Sequence, residues 1–144
     1  MGSRTKAREC ALQALYQLDT SGGDAEGVLA GILVHFEDVD ADTRRFAGEL
    51  VSGVQGDRAS IDEVIQSSST NWKLDRMARV DRNILRLAVF ELLRRGDVPI
   101  RVTLNEAIEL GKKYGTEESS AFVNGVLDRI AHANIAGAVP KVER

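Results

Sequence analysis

Residues 75–95, DRMARVDRNILRLAVFELLRR, carry the longest uninterrupted helical pattern in the chain and the most apolar one. At about 100° per residue, Met77, Val80, Ile84, Leu85, Leu87, Ala88 and Leu92 cover more than half the circumference. An arc that wide must be packed by neighbours on several sides, so the stretch predicts a central helix. Arg79, Arg82 and Arg86 share the remaining sector, with Asn83 at its edge, and internal or interfacial pairing is expected of them. Asp81 and Glu91 fall inside the apolar arc. Unpaired burial of a carboxylate is expensive, so each needs an internal partner or a surface that another protein covers.

The rest of the chain also reads as helical, because alternation of β-branched residues over strand lengths is missing. A first helix is expected from about Arg4 to Asp19, with Ala7, Ala11, Ala14, Leu15 and Leu18 inward and Thr20-Ser21-Gly22-Gly23 as its stop. A second covers about Asp24 to Phe36, and a third about Asp40 to Val54 with Phe46, Ala47, Leu50, Val51 and Val54 inward. Ser60 and Glu63 have capping-box spacing for a fourth helix, as do Thr103 and Glu106 for a sixth. The polar run Ser67–Asn71 ends the fourth, and Trp72 is expected to anchor the approach to the central helix. The sixth helix would bury Leu104, Ala107, Ile108, Gly111 and Tyr114, with Gly111 permitting close helix approach. The seventh, about Glu117 to Ala133, would bury Phe122, Val123, Val126, Leu127 and Ile130. Seven helices with short connections predict an all-α fold. The expected organisation is one domain over 1–144, with lobes of about 4–56 and 58–133 and a frayed tail, 134–144.

A chain of 144 residues suits one compact domain that buries about 70% of its unfolded surface. The single Cys10 cannot form an intramolecular disulfide, and paired cysteines for zinc do not occur. No apolar run approaches the length of a membrane span, and the first residues lack a secretory pattern. A soluble, cytoplasmic protein is expected. Net charge is −3, yet the charges are segregated. Residues 17–71 hold eleven acidic side chains against three basic, and residues 72–101 hold eight basic against four acidic. A mildly acidic chain can in this way present local basic surface.

Enzyme chemistry has little to stand on. His35 and His132 sit in no ligand or triad spacing, and Cys10 lies beside an alanine-rich face where a small buried hydrophobe is expected. Gly111-Lys112-Lys113 lacks the upstream glycine and the Ser/Thr of a phosphate loop. No enzymatic activity, metal or cofactor is expected.

The binding signal lies at the start. Arg4, Lys6 and Arg8 alternate along the first turns of the first helix, with Arg4 and Arg8 on one edge of its apolar face and Lys6 pointing away. Such cations could straddle a phosphate backbone. Tyr16, two turns further on and outside the alanine stripe, could stack on an unpaired base. A cation cluster with one exposed aromatic suits single-stranded RNA better than duplex DNA. Local sequence alone favours the blander reading, a loose basic N-terminus with a half-buried tyrosine.

Four ordered blocks, ARECALQALYQLD, WKLDRMARVDRNILRLAVFELL, DVPIRVTLNEAIELGKKYG and FVNGVLDRIA, resemble the NusB family of bacterial transcription antitermination factors. The resemblance spans about Arg4 to Ala133. It implies an all-helical fold of two lobes that binds boxA RNA of nascent ribosomal RNA operon transcripts together with NusE, a small-subunit ribosomal protein. The pair would act within an antitermination complex on elongating RNA polymerase. The family's arginine-rich N-terminal RNA contacts fall here on Arg4, Lys6 and Arg8, with Thr5 where relatives often carry another basic residue. Its A-L-Y tyrosine is Tyr16, its further RNA surface maps to Glu118 and Phe122, and its NusE-facing carboxylate to Asp81. Two rival readings are a helical dimerisation module, since some relatives self-associate, and the NusB-like module of a ribosomal RNA cytosine methyltransferase. The second is disfavoured because the chain stops near the last predicted helix.

Overall fold

The computed structural model describes residues 2–135. Among these there are seven α-helices, one short 3-10 turn and no strand. The chain divides into two compact units, Met1–Gly56 and Asp57–Arg144. No helix among the described residues is long and apolar enough to cross a membrane. The tail expected to fray lies, from residue 136 onward, outside the described residues, and the last helix runs through Ile135.

In the first unit, α1 (Ser3–Ser21) packs on α2 (Ala25–Val34) and α3 (Ala41–Gly56), which also touch each other. The buried face of α1 includes Ala7, Cys10, Ala11, Ala14, Leu15 and Leu18, and its alanines and cysteine are small enough to let its neighbours come close. It stops where expected. Gly22 and Gly23 take φ of 71° and 112°, a region that a side chain rarely tolerates. Asp24 then caps α2 by accepting the Gly27 N–H at 2.9 Å. From α3, Thr43, Phe46, Ala47, Leu50, Val51 and Val54 are buried. Cys10 is fully buried, and desolvation pushes its thiol up to about 11, so it stays neutral and unreactive as a nucleophile.

In the second unit, α5 (Arg79–Arg94) is the hub and contacts α4 (Arg58–Ser67), α6 (Ile100–Tyr114) and α7 (Ser119–Ile135). Every residue from Arg82 to Leu93 is buried, so burial extends beyond the expected apolar arc to Arg82, Asn83 and Arg86 on the remaining sector. The central helix is shorter than its sequence pattern. Residues Leu74–Arg76 form a 3-10 turn, and Met77 and Ala78 are extended before α5 begins. This break lets Met77 reach the core from outside the helix, and Arg82 Nη1 donates to the Leu74 carbonyl at 3.2 Å.

Neither capping box forms. The fourth helix starts at Arg58 and the sixth at Ile100, each about a turn's fraction earlier, so Ser60 and Thr103 are interior residues. Pro99 opens α6 because its fixed φ and missing N–H suit a helix start. Thr103 is instead buried, and its hydroxyl lies 3.5 Å from Glu91 Oε1, giving that buried carboxylate an internal partner. On α6 the buried residues are Thr103, Ala107, Leu110 and Gly111, while Leu104, Ile108 and Tyr114 are half-buried. A Cβ at Gly111 would come within 3.2 Å of the Ser120 backbone, so the expected close approach of α6 and α7 is real. On α7, Val123, Val126, Leu127, Ile130 and Ala131 are buried and Phe122 only half-buried.

Candidate functional site

The basic N-terminus is not loose. It is helical from Ser3 and is tied down at several points within its own unit. Ser3 Oγ donates to Asp40 Oδ2 at 3.2 Å, and the Thr43 N–H donates to Asp40 Oδ1 at 2.8 Å at the start of α3. The Thr43 N–H, with the Thr43 and Ser3 hydroxyls behind it, holds the Asp40 carboxyl below the usual carboxylate range. Lys6 Nζ donates to the carbonyls of Glu37 at 2.8 Å and Asp38 at 3.0 Å. The guanidinium of Arg4 lies 4.4 Å from the centroid of the Phe46 ring, and that of Arg8 lies 5.4 Å from it.

These positions separate the three cations. Arg4 is exposed, Lys6 is half-buried against the α2–α3 loop, and Arg8 is only 3% exposed. The helical wheel correctly put Arg4 and Arg8 on one edge, but Phe46, which sequence marks only as core, makes that edge a cation–π stack. Tyr16 stands 41% exposed on the same helix, about 18 Å from Arg4 along the axis. A phenol ring left this exposed on a rigid helix offers a surface for stacking.

The second unit holds the remaining predicted positions. Glu118 is exposed just before α7, and its carbonyl accepts the Phe122 N–H at 3.0 Å. Phe122 borders a surface depression of about 390 Å³ that it shares with Asn71, Trp72, Ala121, Gly125 and Arg129. Trp72 does not anchor a core, as expected from its bulk, but is 55% exposed. Hydrogen bonds hold its loop instead. Gln66 Nε2 donates to the Trp72 carbonyl at 2.9 Å, and Gln66 Oε1 accepts the Leu74 N–H at 2.9 Å.

The arginine stripe resolves into three roles. Arg86, buried, forms a two-pronged pair with Asp62, Nε to Oδ1 at 2.8 Å and Nη2 to Oδ2 at 3.0 Å. Arg82 is buried on the Leu74 carbonyl, and Arg79 is exposed. Asp81, in the first turn of α5, differs from all of them. Its Oδ1 is buried and, among the described residues, has no hydrogen-bond partner. Among the described residues, no three His, Cys, Asp or Glu side chains are grouped to hold a metal ion.

The family model described as "NusB family" matches residues 5–132. The chain belongs to the NusB family. Transcription antitermination protein NusB of Anaeromyxobacter dehalogenans is 59% identical over 128 residues, covering 89% of each chain. Among solved structures, NusB of T. maritima is 42% identical, covers 90% of each chain and superposes with a TM-score of 0.83. A chain from the crystal structure of antitermination factors NusB and NusE in complex with dsRNA is 30% identical, with a TM-score of 0.83. That match covers 91% of this chain and 97% of the other. The NusB resemblance noted in the four sequence blocks therefore extends to the whole all-α architecture. Relatives in this family are named for transcription antitermination, not for an enzymatic reaction.

Proposed function

We propose that this NusB-family chain is a non-enzymatic antitermination factor that binds boxA RNA of nascent ribosomal RNA operon transcripts together with NusE. In that role it acts on elongating RNA polymerase. The observation that carries the reading is its likeness, over 91% of its length, to a chain of the solved NusB–NusE–RNA complex. Exposed Arg4 and Tyr16 on α1 supply a cation and a stacking ring for a single strand, with Lys6 beside them. Arg8 supports that surface from beneath Phe46. Glu118 and Phe122 extend the RNA contacts in the second unit, and Asp81 faces NusE.

The test is affinity for a boxA-containing single strand, with and without NusE, against a scrambled strand and a duplex of the same sequence. Tighter binding of the boxA strand in the presence of NusE is expected. Equal affinity for boxA and scrambled RNA would refute sequence-specific recognition, and preference for the duplex would refute the single-stranded mode.

A second prediction separates the cations. Each phosphate contact on a single strand contributes about 0.7 to the slope of log affinity against log salt. Arg4→Ala should therefore lower the slope by about 0.7 while leaving the melting temperature nearly unchanged. An unchanged slope removes Arg4 from the RNA site. Arg8→Ala is a poorer probe, because it strips a buried cation from Phe46 and perturbs the fold itself.

A further inference from the structure

We propose that the depression between the Trp72 loop and the first turns of α7 takes one unpaired nucleobase of the bound RNA, stacked on the indole of Trp72. The inference rests on the RNA-binding reading and adds to it a specific pocket and a residue that nothing above assigns.

Three observations carry it. The first is that Trp72 is displayed, not left over. Its loop is held on the backbone side throughout: by Gln66 at the Trp72 carbonyl and the Leu74 N–H, by the Trp72 N–H donating to the Ser69 carbonyl at 3.1 Å, and by Arg129 Nε donating to the Ser68 carbonyl at 2.7 Å. None of these bonds buries the indole, which stays 55% exposed. Because the backbone that carries the indole is already fixed, stacking a ligand on it costs side-chain ordering but no ordering of the loop.

The second is the shape and chemistry of the depression. Its volume of about 390 Å³ falls within the range of small-ligand sites, about 300–1,000 Å³. Phe122 gives it a second aromatic border, and Asn71 offers an amide whose donor and acceptor can both meet a base edge. Gly125 leaves one side open. A Cβ there would meet only Arg129 Nη1, at 3.9 Å.

The third is position. Phe122 borders the pocket, and Glu118 lies one helical turn before it, so the pocket is continuous with the proposed RNA surface of the second unit. Aromatic rings beside an amide and a guanidinium are the equipment of single-strand binding. Bases within a duplex are stacked on both faces and cannot enter.

Trp72 is the chain's only tryptophan, so its emission reports on the pocket directly. The experiment titrates the full chain, with NusE present, with boxA-containing RNA, and measures the bound fraction by retention of labelled RNA. Trp72 emission is expected to be quenched in step with binding. An abasic substitution at one RNA position should abolish the quenching. Trp72→Ala should weaken binding by about 5- to 150-fold, and Trp72→Phe by much less. Gly125→Met keeps both rings, suits a helix better than glycine and fills the pocket, so it should weaken RNA binding without lowering the melting temperature.

RNA bound without quenching, with Trp72→Ala and Gly125→Met at wild-type affinity, overturns the pocket and leaves the RNA-binding reading standing. No RNA binding by the wild-type chain overturns both. Quenching by NusE alone, unchanged when RNA is added, makes the depression a protein-docking site and overturns the nucleobase assignment.

Discussion

Replacing Asp81 by alanine is expected to weaken binding of NusE by about 30-fold or more, about 2 kcal/mol, while hardly changing the stability of the isolated chain. The stability half of this result follows from two opposed terms. Asp81 stands in the first turn of α5, where a carboxylate favours the helix dipole by about 0.3–1 kcal/mol. Against this, its Oδ1 is buried without a hydrogen-bond partner, a state that costs about 1–3 kcal/mol. Removing the side chain forfeits the first and relieves the second, so the net change should stay within about 1 kcal/mol. The binding half follows from the rest of the side chain: Asp81 is only half-buried, so its carboxylate keeps exposed surface that a docked protein can reach. Calorimetric titration of NusE into wild type and variant reads the loss, and thermal melting of each chain alone reads the balance. Unchanged affinity for NusE would take Asp81 out of the docking surface, leaving its buried oxygen without a role.

The largest effect on stability is expected at Asp62. Asp62→Ala should destabilise the chain by about 3 kcal/mol, near the lower end of the range for breaking a buried ion pair. Its carboxylate meets Arg86 through two hydrogen bonds, and the arginine side chain is 5% exposed while the aspartate is 23% exposed. Truncating the more exposed partner strands the more buried charge. Asn83 Oδ1, 3.3 Å from Arg86 Nη1, offsets only part of that loss. At this chain length the thermal midpoint should fall by about 10 °C. The double variant with Arg86→Met should recover much of the loss, because an apolar side chain tolerates the interior that a lone guanidinium does not. A midpoint within about 2 °C of wild type for Asp62→Ala would show that Arg86 finds another partner.

Both residues show how unevenly the chain could be read from its sequence. The seven helices, the buried faces of α1 and α3 and the wide buried arc of α5 followed from the 3.6-residue period. The ends of the helices did not. Two capping boxes with correct spacing went unused, because Asp57 and Pro99 begin α4 and α6 earlier. The helical pattern at 75–78 was interrupted, because Met77 is buried by a turn that a local window cannot see. The awkwardness of Asp81 was visible in the apolar arc of its helix. That Oδ1 in particular lacks a partner, whereas Glu91 meets Thr103, was not.

The candidate site divides along the same line. By itself the sequence determined which residue types stand on which side of each helix, since that depends only on backbone geometry and spacing. It also carried the family blocks that span nearly the whole chain. Tertiary structure alone decided which of those side chains remain available. It stacked Arg4 and Arg8 on Phe46, 38 residues or more away in sequence, and left Arg4 exposed while burying Arg8. It paired Arg86 with Asp62 and so withdrew one end of the arginine stripe from any ligand. It turned Trp72 outward, because Gln66 satisfies the loop that the indole was expected to hold. Exposure and pairing are properties of what packs nearby, and nearness in space is not written in local spacing.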